Sequence, residues 1–212
     1  MLLILPMIRA ISLVWDPATA WENIVRDRKS LGAVFTGYFL PVILIAALGE
    51  GFTVAQWRMW TAGAHGLMHF DIGQIVVFEA IRSAATCLII GVCSYLVWLL
   101  REPFYGRYNY PQALTLVMYS LCPLFLCQAL TGIPKINLWI SWGVGIYFSL
   151  KVFYHGVRSM AKTDPGSAVG LYVISSAALI GLTGTQRFML IQCLTGHGSS
   201  INNFIYDLAA KI

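Results

Sequence analysis

The chain has 212 residues, of which 58% are hydrophobic and only 11% are charged, and its formal net charge is +5. Water-soluble domains contain about 25% charged residues, so a soluble globular protein is excluded as the class of this chain. So much apolar surface needs a lipid bilayer as its solvent, and the length suits one compact membrane domain. The positive charge suits anionic lipid headgroups, and no basic run indicates a nucleic-acid site.

The first 29 residues predict two short helices at the cytoplasmic interface of the membrane. Polar residues recur there every three or four positions and form one stripe, which is typical of an interfacial amphipathic helix: Arg9, Ser12, Asp16, Thr19 and Asn23. A signal peptide fits less well, because a charge interrupts the apolar run and no basic region precedes it. Asp16 and Pro17 favour a helix start, and the second helix is expected to turn Trp21, Ile24 and Val25 toward the membrane.

Five apolar runs follow, and each is close to the ~20 residues needed to cross a hydrocarbon core of ~30 Å. They are residues 30–49, 83–100, 108–134, 136–157 and 165–186, and only Lys151 interrupts one of them. The predicted fold class is all-α, a polytopic membrane helix bundle with five transmembrane helices and an amino-terminal interfacial amphipathic helix. Its predicted parts are cytoplasmic interfacial helices at 1–29, a five-helix transmembrane domain at 30–194 and a polar carboxy-terminal tail at 195–212.

Lys and Arg residues set the predicted orientation. With five spans, the amino-terminal segment and the loops at 101–111 and 158–168 lie on one side of the membrane, and that side carries most of the basic residues. The positive-inside rule therefore predicts a cytoplasmic amino terminus in a multi-pass protein of the cell (inner) membrane.

Prolines interrupt two of the predicted spans. Pro41 in the first span and Pro123 in the third each remove a helix hydrogen bond, and neighbouring helices or hydroxyls are expected to recover the freed carbonyl. Tyr119 and Ser120 are the nearest candidates. A packing bend is the favoured interpretation, and a hinge or pocket at these kinks is the alternative. Prolines at 17, 111 and 165 are predicted to open helices instead.

Two ionisable residues lie at or within predicted spans. Glu50 closes the first span and Lys151 interrupts the fourth. An ionisable group in a membrane span suggests an ion path or a counter-ion, but Lys151 is near enough to the cytoplasmic end to snorkel toward water, which is the favoured interpretation. Glu79 and Arg82, which precede the second predicted span, are expected to make interface contacts.

Metal, cofactor and catalytic sites have little support in the sequence. His65 and His69 have the spacing of a helical metal-binding pair, but neighbouring glycines weaken such a helix, and interfacial histidines are favoured. The five cysteines form no CxxC pair and are expected to be buried apolar fillers. The prediction is therefore no catalytic residue, no metal and no cofactor.

Small residues in the last two spans predict close helix packing. These are Gly143, Gly145, Ala177, Gly181 and Gly184. Small surfaces let transmembrane helices approach closely. Packing inside the bundle and a homodimer face both remain open on this pattern.

Three segments carry a family resemblance. WDPATAWENIVRD at 15–27 contains a Pro-x-x-x-Trp helix, and PQALTLVMYSLCPLFLCQALTGIP at 111–134 contains a Tyr-Ser-x-x-Pro motif, Tyr119 to Pro123, and a closing Ile-Pro at Pro134. IYFSLKVFYHGVRSMAKTDPGSAV at 146–169 contains a span marked by Tyr and by Gly156. In this order the segments resemble those of bacterial five-span members of the Yip1 domain family. The resemblance implies a five-helix bundle with a cytoplasmic amino terminus, and eukaryotic members of that family act in vesicle traffic.

The expected function is that of a non-enzymatic integral membrane protein. It would act through helix–helix, partner or lipid interactions, as a membrane-organising or trafficking-like scaffold, with membrane lipids, a second copy or other membrane proteins as partners. One alternative is a small-solute or ion transporter or channel subunit that uses the kinked helices, Glu50 and Lys151. Another is a metal-dependent membrane enzyme that uses His65 and His69. The candidate functional or structural residues are Lys151, Glu50, Pro41, Tyr119, Pro123, Pro134 and Gly156.

Overall fold

A computed structural model describes residues 11–27, 29–60, 71–133, 136–161 and 165–194, together with 203, 207 and 208. Every regular element in these ranges is a helix, which confirms the predicted all-α class. The α-helices are α1 (Pro17–Asp27), α2 (Leu31–Val34), α3 (Leu40–Trp60), α4 (Ile72–Leu99), α5 (Tyr110–Ser120), α6 (Cys122–Ala129), α7 (Leu138–Ala161) and α8 (Pro165–Leu194).

Four stretches are long and apolar enough to cross a membrane. They are Leu31–Ala55, Ile72–Leu99, Tyr110–Ala129 and Gly166–Cys193. The membrane class is therefore supported. The fourth predicted span, residues 136–157, is not among these four stretches and stays a prediction. Its helix, α7, has 24 residues, which is long enough, but its sequence is less apolar than those of the other four.

The helices do not end where the charged residues begin. α3 continues past Glu50, α4 starts well before Arg82, and α8 continues past Arg187. The expected helix boundaries at these three charges were therefore wrong. The physical reason is that the charges lie inside the bundle and neutralise one another, so they do not need to reach water.

Glycines allow α6 to pack tightly between two other helices. A Cβ at Gly49 of α3 would lie 2.7 Å from the Cα of Ala129, and one at Gly145 of α7 would lie 2.9 Å from the Cα of Leu124. Both distances are too short for any residue but glycine. Gly145 therefore serves packing inside the bundle, while Gly181 on α8 is exposed and has open space around it.

Irregular helical structure lies close to each span proline, and the predicted kinks themselves stay a prediction. A π-helical segment, Phe35–Phe39, ends two residues before Pro41, and such turns accommodate a missing helix hydrogen bond. Pro123 lies in the first turn of α6, after the break at Leu121 that separates α5 from α6. There the N–H of Leu124 donates to Ser149 Oγ of α7 at 3.1 Å. This bond from a neighbouring helix satisfies an N–H donor at the break, whereas recovery of the carbonyl freed by Pro123 stays a prediction.

Substitution of Ser149 by Ala is expected to destabilise the bundle by about 1–3 kcal/mol, because the buried Leu124 N–H loses its acceptor. The thermal unfolding midpoint of the detergent-purified protein measures this loss. Ser167→Ala on α8 is the control, since this half-buried serine makes no side-chain hydrogen bond with the described residues. Equal midpoints for the two variants would show that the Ser149 hydroxyl is dispensable at the break.

Helix α1 packs on the bundle and turns Trp21 into the protein. Trp21 is 0% exposed, and its indole N–H donates to the carbonyl of Val152 in α7 at 2.8 Å. A Cβ at Gly156 would lie 2.6 Å from the Trp21 ring, so only glycine leaves room for the indole. The expectation that Trp21 faces the membrane was therefore wrong, because Gly156 provides a slot for it within the protein.

The start of α1 follows the predicted pattern. Asp16 lies immediately before α1, and Pro17 occupies its first position. The N–H of Thr19 donates to Asp16 Oδ1 at 3.3 Å. Hydrogen bonds from Thr19 lower the pKa of the Asp16 carboxyl below its ordinary value, because they favour the ionised form that accepts them at the helix cap. Pro111 and Pro165 likewise lie at the starts of α5 and α8.

Candidate functional site: a buried ionic cluster and a basic cavity

Four ionisable side chains from three spans meet inside the bundle, and we call them the buried ionic cluster: Glu50, Glu79, Arg82 and Arg187. Their exposed fractions are 3%, 9%, 8% and 2% respectively. Arg187 Nη1 donates to Glu50 Oε1, and Arg82 Nη1 lies 2.8 Å from Glu50 Oε2. Arg82 Nε also donates to Glu79 Oε2 at 2.7 Å. Glu50 therefore bridges two arginines from two different helices.

Further hydrogen bonds hold the buried ionic cluster in place. Arg187 Nη2 donates to the carbonyl of Leu138, at the start of α7, at 3.2 Å. Gln186 Nε2 donates to Thr86 Oγ1 at 2.7 Å, which joins α8 to α4. The cluster thereby connects α3, α4, α7 and α8 at one end of the bundle.

Charge balance explains how these groups are tolerated inside candidate spans. Two carboxylates face two guanidinium groups, so the ionised cluster is formally neutral. Removal of an isolated ion from water is costly, whereas a well-paired and hydrogen-bonded set offsets most of that cost. The geometry is that of a structural connection between helices, since each guanidinium has a carboxylate partner within the cluster.

Sequence reasoning found only part of this cluster. Glu50 was singled out, but Glu79 and Arg82 were expected at the membrane interface, and that expectation was wrong because both are buried. Arg187 was missed, since it was interpreted as the end of a span. The predicted topology contained one indication of this cluster. It puts the end of the first span, the start of the second and the end of the fifth on the same side of the membrane, so the charged residues at these ends could have been expected to lie near one another.

Lys151, the other ionisable residue inside a predicted span, is not part of the cluster. Its side chain is exposed on α7, and it forms no ion pair with any residue that the structure describes. This position is compatible with the predicted snorkelling of its ammonium group. An internal ion path that uses Lys151 is not favoured.

Two of the candidate residues meet beneath the amino-terminal helix. Tyr119 is buried, and its ring centroid lies 6.0 Å from that of Trp21 and 4.4 Å from that of Tyr38. Gly156 lies against the same indole. Tyr119 of α5 and Gly156 of α7 therefore form part of the surface on which α1 packs.

The other predicted sites cannot be placed. Pro134, His65 and His69 lie outside the described residues. Within the described ranges, no group of three or more His, Cys, Asp or Glu residues is arranged to hold a metal ion.

A cavity of about 770 Å³ lies beside α1, and we call it the amino-terminal cavity. Its walls come from α1, the start of the first span, the start of α5 and the end of α7. Of the residues that the structure describes, three basic side chains and one acidic side chain line it: Arg26, Lys29, Arg107 and Asp27. The predicted amino-terminal side of the bundle therefore carries a basic concave surface.

The loop that contributes Arg107 to the cavity is well anchored. The neighbouring Tyr108 hydroxyl donates to the carbonyl of Val97 at 2.7 Å, and burial raises the pKa of Tyr108 to about 12. Asn109 caps α5, and its side chain accepts a hydrogen bond from the Gln112 N–H at 3.1 Å. These contacts hold the backbone on the carboxy-terminal side of Arg107.

Comparison with known proteins gives one positive result. The Yip1 domain family matches residues 11–185. No curated protein and no solved structure matches the chain. The match begins close to α1 and ends shortly before Arg187, so it includes Trp21, Gly156 and three of the four residues of the buried ionic cluster.

Proposed function

The chain belongs to the Yip1 domain family, and we propose that it is a non-enzymatic membrane scaffold that engages lipid or partner proteins at the membrane surface on its amino-terminal side. The observation that carries this proposal is the docking of α1. Because Trp21 fixes this helix onto α7, the amino-terminal side has a defined surface with a basic cavity beside it. Its five apolar runs support a five-span protein of the inner membrane, and the distribution of its basic residues supports a cytoplasmic position for this side.

Solute transport is not supported by any feature of the described residues. The ionisable groups inside the bundle pair with one another, and Lys151 lies on the outside. Ions or solutes therefore lack an unpaired charged group along a path through the described bundle. The buried charges stabilise the helix arrangement, and the proposed interactions take place at its surface.

Site-specific photo-cross-linking in native membranes tests the scaffold proposal. Trp15, whose side chain is 87% exposed just before α1, is replaced by a photoreactive phenylalanine derivative, and Tyr147, exposed on α7, is replaced in the same way as the control. We expect discrete protein adducts, with a partner or a second copy, from position 15 only. These adducts should decrease when Trp21→Ala releases α1.

Reconstitution into liposomes supplies the contrary outcome. The scaffold proposal predicts that the protein adds no solute or ion flux to that of empty liposomes. Protein-dependent flux, together with identical cross-linking patterns at positions 15 and 147, would overturn the proposal.

A further inference from the structure

We propose that the amino-terminal cavity binds a phosphate-bearing anion, with Lys29 and Arg107 as its main cationic contacts. This inference rests on the proposed scaffold function and names the ligand class of its basic surface. The cavity volume of about 770 Å³ lies in the range of about 300–1,000 Å³ that is usual for small-molecule sites.

The position of the cavity suits a ligand from the membrane interface. Lys29 lies between α1 and the first span, and Arg107 lies in the loop before α5. Ser159 and Met160 contribute from the last turns of α7. The cavity is thus built where three predicted membrane helices and α1 meet, at their predicted cytoplasmic ends.

The charges of the cavity are available to a ligand. Arg26 donates to Asn23 Oδ1 at 2.6 Å within α1. Neither Lys29 nor Arg107 forms an ion pair with another residue of the described ranges. Both side chains are exposed, so an anion gains their charge at little cost in desolvation.

The donor chemistry favours phosphate over a simple halide. An Arg guanidinium presents a planar fork that matches two phosphate oxygens, and a Lys ammonium adds a compact charge. The amide oxygen of Gln112 already accepts from the N–H of Asn109 at 2.9 Å, which leaves the Gln112 amide N–H groups to donate into the cavity. Together these residues offer several N–H donors to a tetrahedral anion.

The deeper lining is apolar and favours an amphiphilic ligand. Leu13, Val34 and Tyr119 line the cavity and are almost fully buried, whereas the three basic residues are exposed. A molecule with a phosphate at one end and apolar carbon next to it matches this gradient. The headgroup of an anionic lipid is one source of that chemistry, and a soluble phosphate ester is the other.

Lipid binding to matched double variants tests the proposal. The full chain is purified in a neutral detergent, and retention of phosphatidylglycerol is measured by native mass spectrometry against phosphatidylcholine. Lys29→Gln with Arg107→Gln removes two charges from the cavity. Arg101→Gln with Arg158→Gln removes two charges from the same predicted side of the membrane, at residues that do not line the cavity. A parallel titration uses glycerol 3-phosphate without added lipid.

We expect saturable retention of phosphatidylglycerol that weakens at least about tenfold in the cavity variant and less than about twofold in the control variant. Equal weakening in both variants, or equal retention of the two lipids by the wild type, would overturn the proposal. Binding of glycerol 3-phosphate with the same dependence on Lys29 and Arg107 would support the site and assign it to soluble phosphate esters. Matching unfolding midpoints establish that both variants fold.

These outcomes are separate from the test of the scaffold function. The adducts from position 15 depend on docked α1 and do not require a bound anion. Absence of phosphate binding would contradict the anion site and would not affect the scaffold proposal. Absence of adducts together with intact phosphate binding would contradict the scaffold proposal and would not affect the anion site.

Discussion

Replacement of Glu50 by Gln is expected to destabilise the protein by about 3–5 kcal/mol. The side chain keeps its size but loses its charge, so Arg82 and Arg187 remain buried with one carboxylate between them instead of two. An uncompensated buried cation is far more costly than the loss of a surface pair. Thermal or denaturant unfolding of the purified protein in detergent measures the change.

Glu102 provides the matched control for this prediction. Its carboxylate is 81% exposed and lies 3.8 Å from Arg101, and pairs of this kind contribute about 0–1 kcal/mol. Glu102→Gln is therefore expected to leave the unfolding midpoint almost unchanged. The assignment of Glu50 to a buried cluster fails if the two variants unfold at the same point.

Substitution of Gly156 by Ala is expected to release α1 from the bundle. The added Cβ would lie 2.6 Å from the Trp21 ring, so the indole must leave its slot and give up its hydrogen bond to Val152. Overpacking of this kind costs about 1–3 kcal/mol. Limited trypsin digestion provides the readout, and cleavage after Arg26 should become faster in the variant.

Gly143 on the same helix supplies the control. A Cβ there meets no atom within 4 Å, so Gly143→Ala is expected to be neutral or to stabilise α7 by up to about 1 kcal/mol. The double variant Trp21→Ala with Gly156→Ala should be no less stable than Trp21→Ala alone, because the clash with the indole is gone and only the flexible end of the Leu116 side chain still has to shift. Unchanged cleavage in Gly156→Ala would show that Trp21 does not depend on that glycine.

Much of the fold could be predicted from the sequence because lipid imposes simple demands on composition. Long apolar runs predict helices, and Asp-Pro pairs mark helix starts, as Pro17 and Pro165 show. Irregular turns near Pro41 and Pro123 follow from the missing N–H of proline. These inferences depend only on residues that are neighbours in the chain, so they can be made from the sequence alone.

The candidate site was harder to predict because its contacts are not local. Arg187 and Glu50 are far apart in the chain, and their pairing depends on how the helices are arranged. An argument from hydropathy takes each charged residue as the end of a membrane span. It therefore does not detect charged residues that neutralise one another inside a span. Similarly, the position of Trp21 among the apolar residues of α1 indicates that its side chain is removed from water. Whether protein or lipid surrounds it depends on the space that Gly156 leaves on α7.

A double-mutant cycle on Glu50 and Arg187 tests most directly whether the charges within the bundle stabilise it as one neutral unit. Glu50→Gln and Arg187→Gln are each expected to be strongly destabilising, whereas the double variant restores the balance between Glu79 and Arg82. The account predicts that the double variant loses less stability than the sum of the two single losses, by about 0.5–3 kcal/mol. Strictly additive losses would contradict it.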